Sequence, residues 1–408
     1  MNAPRFGQFG ALLLAALALC VPVLHPRADA VAQTATSQTS SRTGAYPTIV
    51  QAPPMQVADS SASAHQPAPS RMGEKLAQSG AGPAAPPVSP ATPADAAAGG
   101  AKPAAPARSE RFSFAVMADT PYRVPQDFPR FDRLIDAIAA SKPAFSVHLG
   151  GIMSAHEPCT DEYYRSILRR FVKLGHPLIY TPGDNEWLNC HLERAGKFDP
   201  RERLNKLREV FFPDPTRSIG DNHMVVEPQS AVLPARSAYV ENVRFWRNNV
   251  LFVAVHVVGM NNGFEPSSKE SIEEYFARNR ANVTWIDDSF RLAREKGAIA
   301  VVLLTHASLF DLRQKSPVMP AASGYGDTVR AIERGMRVFG KPLLLVHGSG
   351  HEFEFEGLRG ADYKRIPNAW RLQVMGDTHA HGVMITVDPH SSGVFSFGPL
   401  VVPENGPP

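Results

Sequence analysis

Cysteine is scarce in this sequence, with only three residues among 408. Cys20 lies in an N-terminal apolar run, which leaves Cys159 and Cys190 in the rest of the chain. At most one disulfide can therefore form there. An oxidising compartment would permit that bond, and two free thiols are the alternative. Both residues follow ends of predicted strands, which favours the Cys159–Cys190 disulfide.

Long apolar runs are also rare, because none beyond residue 30 could span a membrane. The N-terminus has a positive Arg5, an apolar run over 11–23 and a small-x-small site at 28–30. This pattern predicts a signal peptide over residues 1–30 and an exported protein, periplasmic or extracellular, without a transmembrane helix after cleavage. Leu19 is too large for the usual lipobox position, so a lipoprotein modified at Cys20 is not expected.

The chain lacks a basic tract, although its formal net charge is +3. This absence excludes the usual footprint of a nucleic-acid-binding protein or of a protein bound to an anionic membrane surface. Residues 31–110 are mostly Ala, Pro, Ser, Thr, Gln and Gly, without an apolar period. We therefore predict a disordered linker over 31–110, followed by one folded domain over 111–402.

Short apolar runs alternate with helical patterns throughout this domain. We predict strands near 112–118, 144–149, 177–181, 249–258, 299–304, 341–346, 371–375, 383–387 and 393–397, with helices near 129–140, 161–174, 201–211, 271–296 and 325–338. Such alternation is typical of βαβ units. The predicted fold class is α/β, with mixed, largely parallel sheets flanked by helices.

Polar side chains follow the C-terminal ends of these strands. They are Asp119, Asn185, His306, His347 and His351. Because ligands bind at this edge of open α/β sheets, five such residues in one chain predict a shared site. Imidazole, carboxylate and amide oxygen are ligands that suit Mn, Fe or Zn.

Two segments carry a resemblance to a known family. They read Ala-Asp-Thr-Pro-Tyr at 118–122 and Gly-Asp-Asn-Glu-Trp at 183–187. With the order of the strand-end residues, they resemble an exported subgroup of the calcineurin-like metallophosphoesterases. The resemblance covers about 112–399 and implies a two-layered phosphoesterase fold. It also implies one or two divalent metal ions and hydrolysis of a small phosphorylated substrate, monoester or diester.

The resemblance implies roles for individual residues. Asp119, Asn185, His306, His347 and His351 would be metal ligands, and Asp184, His191 and His306 are the candidate catalytic residues. His148 precedes the second element and is expected to be a core histidine rather than a ligand.

Three positions depart from the family pattern. Pro121 replaces a histidine, Ser349 replaces the first histidine of the last element, and Gly151 stands where an Asp would bridge two metals. The bridging loss is the most serious, because a glycine offers no ligand atom.

The last element has a second candidate at 376–381. There Asp377, His379 and His381 are possible alternative ligands, and the His-x-His spacing would place both rings on one face of a strand. The first candidate is favoured because the second leads into the closing strands.

Three outcomes remain open for the incomplete site. The protein could bind metal weakly and hydrolyse slowly, recruit substitute ligands, or serve as a binding or scaffold module of the cell envelope. A serine hydrolase is excluded because no Gly-x-Ser-x-Gly segment occurs. The sequence does not determine the substrate, the metal or the oligomeric state.

Overall fold

A computed structural model describes residues 50–51, 110–310, 319–320, 323–377 and 379–407. The predicted signal peptide, Cys20 and most of the predicted linker lie outside these residues. None of the helices within the described ranges is long and apolar enough to cross a membrane.

Six strands form the first sheet in the order β1-β13-β12-β2-β3-β4. Their bounds are β1 Val50–Gln51, β2 Phe112–Met117, β3 Ser146–His148, β4 Leu178–Tyr180, β12 Gly382–Val387 and β13 Phe395–Leu400. Strands β2, β3 and β4 are parallel, whereas β12 runs antiparallel to both β2 and β13. Strand β1 pairs with β13, so residues predicted to belong to a structureless linker form a short strand.

Seven strands form the second sheet in the order β10-β11-β9-β8-β7-β6-β5. Their bounds are β5 Glu227–Pro228, β6 Val243–Arg247, β7 Val250–Ala254, β8 Ala300–Thr305, β9 Leu343–His347, β10 Glu354–Arg359 and β11 Arg365–Gln373. The central strands β7, β8, β9 and β11 are parallel, and the outer ones are antiparallel. The parallel strands are therefore central in the second sheet, whereas in the first sheet they occupy one side and end with the edge strand β4.

Helices lie between many of the strands. Their bounds are α1 Phe128–Ser141, α2 Asp161–Val172, α3 Pro200–Phe211, α4 Gln229–Val232, α5 Gly259–Asn262, α6 Lys269–Glu295 and α7 Gly326–Phe339. Helix α2 begins where the Thr160 side chain accepts a hydrogen bond from the Tyr163 N–H. Acidic residues follow in its first turn and arginines occupy its last, as the helix dipole favours.

The core lies in three layers. Aromatic and aliphatic side chains of both sheets pack between them, where Phe114 stacks on Phe145 and meets Phe252 edge-on. Helices α1, α2 and α3 cover the outer face of the first sheet, and α6 and α7 cover that of the second. Burial on both faces explains why the central strands read as continuous apolar runs.

The predicted fold class is confirmed: two mixed sheets are flanked by helices. The predicted Cys159–Cys190 disulfide is also present, with Cα atoms 5.7 Å apart. Strands β5, β6 and β10 were not predicted. Strand β6 follows only the four-residue helix α4 and a 3-10 turn, and β10 is an edge strand with three charged residues among six, so neither gives the βαβ pattern.

Candidate strand-end site

Six titratable side chains meet at the C-terminal edge of the parallel strands of both sheets. We call them the strand-end cluster: Asp119 follows β2, Asp184 and Glu186 follow β4, His306 follows β8, His351 follows β9, and Asp377 follows β11. Backbone hydrogen bonds connect the loops that carry them, from Gly348 N to His306 O and from Asp377 N to Asp119 O. The strand ends of both sheets therefore lie together, and three of the five predicted residues, Asp119, His306 and His351, belong to the cluster.

The backbone here adopts unusual conformations. Asp119, Ser349, His351 and Asp377 all have positive φ between 50° and 66°, although none is a glycine. Left-handed backbone is unfavourable for residues with a Cβ and is concentrated at functional positions. The strand ends are thus turned sharply, which directs these side chains toward one another.

His306 is the centre of the cluster. Its Nε2 lies 3.0 Å from Asp184 Oδ1, and its Nδ1 lies 2.7 Å from the Leu149 carbonyl oxygen. Both partners can only accept, so both ring nitrogens donate and the ring is an imidazolium. Burial alone would lower the pKa of His306, but the hydrogen bond to Asp184 and the nearby carboxylates raise it to about 10.

Asp184, rather than its neighbour Asn185, turns its side chain into the cluster. Asp184 Oδ1 also accepts the Gly259 N–H at 3.0 Å. Burial would raise its pKa, but the hydrogen bond and charge of His306 lower it overall. The buried pair is therefore ionised on both sides, a carboxylate with an imidazolium.

Asn185 is the residue that the family resemblance assigns to the metal, and its amide is fully engaged within the loops. Its Nδ2 donates to the Met153 carbonyl at 2.9 Å and to Tyr122 Oη at 3.2 Å, while its Oδ1 accepts from Asn189 at 2.8 Å. The Met153 carbonyl is only an acceptor, which fixes this orientation of the amide.

Glu186 lies beneath the cluster and is fully buried. Its carboxyl accepts N–H groups of Gly151 and Gly183 and the Tyr180 hydroxyl. Burial raises its pKa, and the charge of His306 and the Gly183 N–H oppose that rise. Glu186 was given no role from the sequence, and here it holds two strand-end turns together.

Asp119 and His351 form the more open side of the cluster. Asp119 Oδ2 accepts the Ser349 N–H at 2.7 Å, and Asp119 Oδ1 lies 3.8 Å from His351 Nε2. Burial raises the pKa of Asp119 against the lowering charges of His306 and His351. The other ring nitrogen of His351 lies 3.8 Å from Asp377 Oδ2.

Tyr122 borders this open side. Its ring meets the His351 ring edge-on at 5.2 Å between centroids. Burial raises the pKa of its hydroxyl to about 12. The sequence shows Tyr122 inside the 118–122 motif, but nothing in that motif indicated its contact with His351 and Asn185.

His347 is held away from any ligand role. Its Nδ1 donates to the Gly348 carbonyl at 2.9 Å, and its Nε2 accepts from the Arg371 guanidinium at 3.0 Å. Burial and the charge of Arg371 lower its pKa to about 3. His347 is thus a neutral core histidine whose lone pair is occupied.

His148 is also a core histidine, as the sequence suggested. Its Nε2 donates to the Thr120 carbonyl at 2.8 Å, and its Nδ1 accepts the Gly150 N–H at 3.2 Å. Burial lowers its pKa to about 4.

The remaining sequence candidates lie outside the cluster. His191 is exposed on a 3-10 turn and bonds to the Leu188 carbonyl. His379 and His381 precede β12 and are not in a strand, so the expected ligand geometry on one strand face is absent. His381 accepts the Val402 N–H, and His379 lies 3.9 Å from Glu352. Only Asp377 of that segment approaches the cluster.

Gly151 occupies the place where the family resemblance expects a bridging Asp. A Cβ at this position would lie 2.3 Å from Asp119 Oδ1 and 2.9 Å from Asp119 Cα, and the residue has φ +69°. Asp119 therefore fills the space that a side chain at 151 would need. The glycine is a requirement of this arrangement of loops.

These observations test whether the cluster fits the metal centre that the family resemblance implies. Among the residues that the structure describes, no three His, Cys, Asp or Glu side chains form a group that could hold a metal ion. Both ring nitrogens of His306 are hydrogen-bonded within the protein, Nε2 to Asp184 and Nδ1 to the Leu149 carbonyl. Asn185 and His347 are engaged elsewhere. The residues do not fit a dinuclear centre.

No known family model and no curated protein matches the chain. Among solved structures, it is similar to PhoD at 12% identity and a TM-score of 0.44, over 69% of this chain and 64% of that one. It is also similar to a dimetal phosphatase from Danio rerio, with 14% identity and a TM-score of 0.44. That match covers 67% of this chain and 95% of the other. A third similar structure is a purple acid phosphatase from yellow lupin, with 10% identity and a TM-score of 0.35. That match covers 68% of this chain and 50% of the other.

The chain thus spans less than two thirds of PhoD. The similarity concerns the fold, and what the strand-end cluster can do follows from the chain's own residues.

Proposed function

We propose that this chain is a ligand-binding module built on a phosphoesterase-like fold, and that its strand-end cluster works without a metal. The observation that carries this proposal is the Asp184–His306 pair, in which an imidazolium supplies the positive charge that the carboxylates require. Both nitrogens of that ring are hydrogen-bonded to acceptors. A buried ion pair of this kind stabilises a loop arrangement but leaves no nucleophile or ligand free.

The charge balance of the cluster also argues against phosphate as its ligand. Asp119, Asp184 and Asp377 carry carboxyl groups at this edge, and only His306 and His351 oppose them. No arginine or lysine forms an ion pair with these carboxyls among the described residues. Without a metal, an approaching phosphate would meet acidic side chains and few donors.

The experiment that tests the proposal is a hydrolysis assay. The purified chain is incubated with p-nitrophenyl phosphate and bis-p-nitrophenyl phosphate, with and without added Mn or Zn. We expect no turnover above that of an Asp119→Ala variant under any condition. Metal-dependent turnover that disappears in Asp119→Ala would contradict the proposal.

A metal-dependent phosphoesterase with a degenerate site is the second candidate, and one observation favours it. Asp119 Oδ1 and His351 Nε2 lie 3.8 Å apart on the open side of the cluster, and the His351 side chain is 31% exposed. A single divalent ion could contact both residues. Asp377 faces the opposite nitrogen of the ring, so the same ion would not reach it through His351. In that case Asp119 and His351 would hold the ion, and a small phosphorylated substrate would be its target.

We also propose that the protein is exported, to the periplasm or the extracellular space. The signal-like N-terminus and the Cys159–Cys190 disulfide support this, because such bonds persist in oxidising compartments. N-terminal sequencing of the protein from cell fractions tests it, with cleavage after residue 30 as the expected result. An uncleaved chain with reduced thiols in the cytoplasmic fraction would contradict it.

A further inference from the structure

A pocket of about 460 Å³ lies next to the strand-end cluster, on the side of Asp184. Three segments form it: residues 187–191 after the Asp184 loop, the beginning of α3 at 199–201, and residues 260–274. The first and third segments both contact Asp184 through their neighbours, because Asp184 accepts the Gly259 N–H and Trp187 N donates to the Asp184 carbonyl. The volume suits a small organic molecule.

The walls of this pocket are partly apolar. Trp187 and Leu188 line one side, and Met260 and Phe264 line another. Met260 is 60% exposed, which is unusual for so large an apolar side chain so close to a cluster of charges. An apolar group of a ligand would cover Met260 and gain hydrophobic contact.

The backbone behind Met260 is strained. Met260, Asn261 and Asn262 have φ of 51°, 56° and 58°, and Gly263 follows at 68°. Four consecutive residues in the left-handed region are costly for the three that carry a Cβ. Such strain persists where the surrounding structure imposes it, and it is concentrated at binding sites. Here it presents Met260 to the pocket.

The charged side chains of the pocket are predominantly acidic. Asp199, Glu265, Glu270 and Glu274 line it, against Arg201. Asp199 lies 3.7 Å from Arg201, and Glu274 pairs with Arg278 at 2.8 Å. Within the described ranges, neither Glu265 nor Glu270 forms a salt bridge. The pocket therefore has a surplus of negative charge beside an apolar wall.

The pocket does not offer an anion site in spite of two nearby helix beginnings. The α3 terminus is capped by Asp199, whose side chain accepts the Arg201 N–H, and the α6 terminus by Ser268, which accepts the Ser271 N–H. Each cap occupies one of the N–H donors that could otherwise bind an anion. A phosphate group would also face Glu265 and Glu270.

We propose that this pocket binds a small organic cation that carries an apolar group, such as an aryl- or alkyl-substituted ammonium compound. The cationic head lies at Glu265 and Glu270, and the apolar part lies against Met260, Phe264 and Leu188. The Phe264 ring, which is not fully buried, adds a π face for the cation. The inference names the ligand class of the proposed binding module and rests on that function.

The test is isothermal titration calorimetry of the purified full chain in EDTA, with benzyltrimethylammonium as the probe. Benzyl phosphate and benzyl alcohol serve as the anionic and neutral comparisons. We expect the cation to bind at least about tenfold more tightly than either comparison, with affinity that falls as salt is raised. Equal or tighter binding of benzyl phosphate would overturn the inference.

Two variants locate the site. Glu265→Gln combined with Glu270→Gln keeps the size and hydrogen-bonding capacity of both side chains and removes their charge. It should weaken the binding of the cation about tenfold and leave benzyl alcohol unaffected. Glu295→Gln is the matched control, because Glu295 is an exposed glutamate at the other end of α6 and outside the pocket. An unchanged affinity in the double variant would overturn the inference, even if the cation binds.

The outcome is separable from that of the hydrolysis assay. Cation binding that depends on Glu265 and Glu270, together with metal-dependent hydrolysis, would contradict the metal-free function and support the cation pocket. No cation binding, together with no hydrolysis, would contradict the cation pocket and support the metal-free cluster.

Discussion

His306 Nε2 donates to Asp184 Oδ1 at 3.0 Å, and the two side chains are nearly inaccessible to solvent. This pair joins the first sheet to the second at the edge where ligands bind in α/β folds. It explains why the cluster tolerates several carboxyls in a buried place.

Removing one partner of the pair should be costly. Asp184→Asn leaves the imidazolium without its counter-charge, and breaking a buried ion pair costs roughly 3–5 kcal/mol. We expect a loss of this size in the free energy of unfolding, measured by urea denaturation. Asp287→Asn, which breaks the surface pair of Asp287 with Arg334, is the control and should have no measurable effect. Equal stability of Asp184→Asn and the parent would contradict the role of the pair.

The same variant should change the titration of His306. In the parent protein the pKa of His306 is raised to about 10, with the Asp184 hydrogen bond the largest of the causes that raise it. NMR titration of the ring resonances should show a much lower pKa in Asp184→Asn. A titration in the ordinary range in the parent protein would contradict the assignment of an imidazolium.

Stability should be greatest near pH 6.5 as far as the buried histidines determine it. The native pKa of His306, about 10, lies above its unfolded value of 6.5, so its contribution is complete below pH 6.5 and is lost as pH rises toward 10. The native pKa values of His148 and His347, about 4 and about 3, lie below it, so stability falls as pH drops from 6.5.

Each of these histidines can change the free energy of unfolding by at most about 1.4 kcal/mol per pH unit. Urea denaturation at pH 5, 6.5, 8 and 9.5 measures the profile. His306→Gln should lose the alkaline slope and keep the acid one, whereas the exposed His390→Gln should keep both. An unchanged alkaline slope in His306→Gln would show that other groups cause it.

Gly151 should tolerate no side chain. Gly151→Ala brings a Cβ to 2.3 Å from Asp119 Oδ1, in a backbone with φ +69°. Gly175→Ala is a matched control, since its φ is +67° and no atom lies within 4 Å of the added Cβ. The control should lose about 1–2 kcal/mol of stability from backbone strain.

Gly151→Ala should lose a further 1–3 kcal/mol or so from overpacking. Thermal and urea denaturation of both variants give the comparison. For the same reason Gly151→Asp should destabilise the protein rather than complete a metal centre. A loss no larger in Gly151→Ala than in Gly175→Ala would show that the loops can move apart.

The disulfide should contribute to stability. It closes a loop with a sequence separation of 31 residues, for which chain entropy gives about 3–4 kcal/mol. Cys159→Ser with Cys190→Ser should lose about that amount in urea denaturation under oxidising conditions. Dithiothreitol should destabilise the parent protein to a similar extent and leave the double variant unaffected. Insensitivity of the parent to the reductant would contradict this.

Much of the fold could be predicted from the sequence because its parallel strands are buried on both faces. Runs such as 300–305 and 343–347 are almost purely apolar, and the helices between them are amphipathic. Strand β5, with two residues, and the polar edge strand β10 carry no such signal. The edge strands β1, β5 and β10 were therefore part of what periodicity could not supply, whereas the antiparallel strands β12 and β13 were predicted.

The location of the candidate site was predicted, but the direction of its side chains was not. The family resemblance named Asn185 as a metal ligand, yet it is Asp184, a candidate catalytic residue, that contacts His306. His347 follows a strand end as a ligand would, yet Arg371 occupies its lone pair from a neighbouring strand. Such outcomes depend on tertiary partners far along the chain, which no local motif records.

The most direct test of the metal-free cluster is the metal content of the purified chain. The protein is incubated with Mn, Fe or Zn, dialysed and analysed by elemental analysis, with Asp119→Ala and His351→Ala prepared in parallel. We expect well under one ion per chain in the parent, equal to that in both variants. One or two ions per chain in the parent, lost in either variant, would contradict the account.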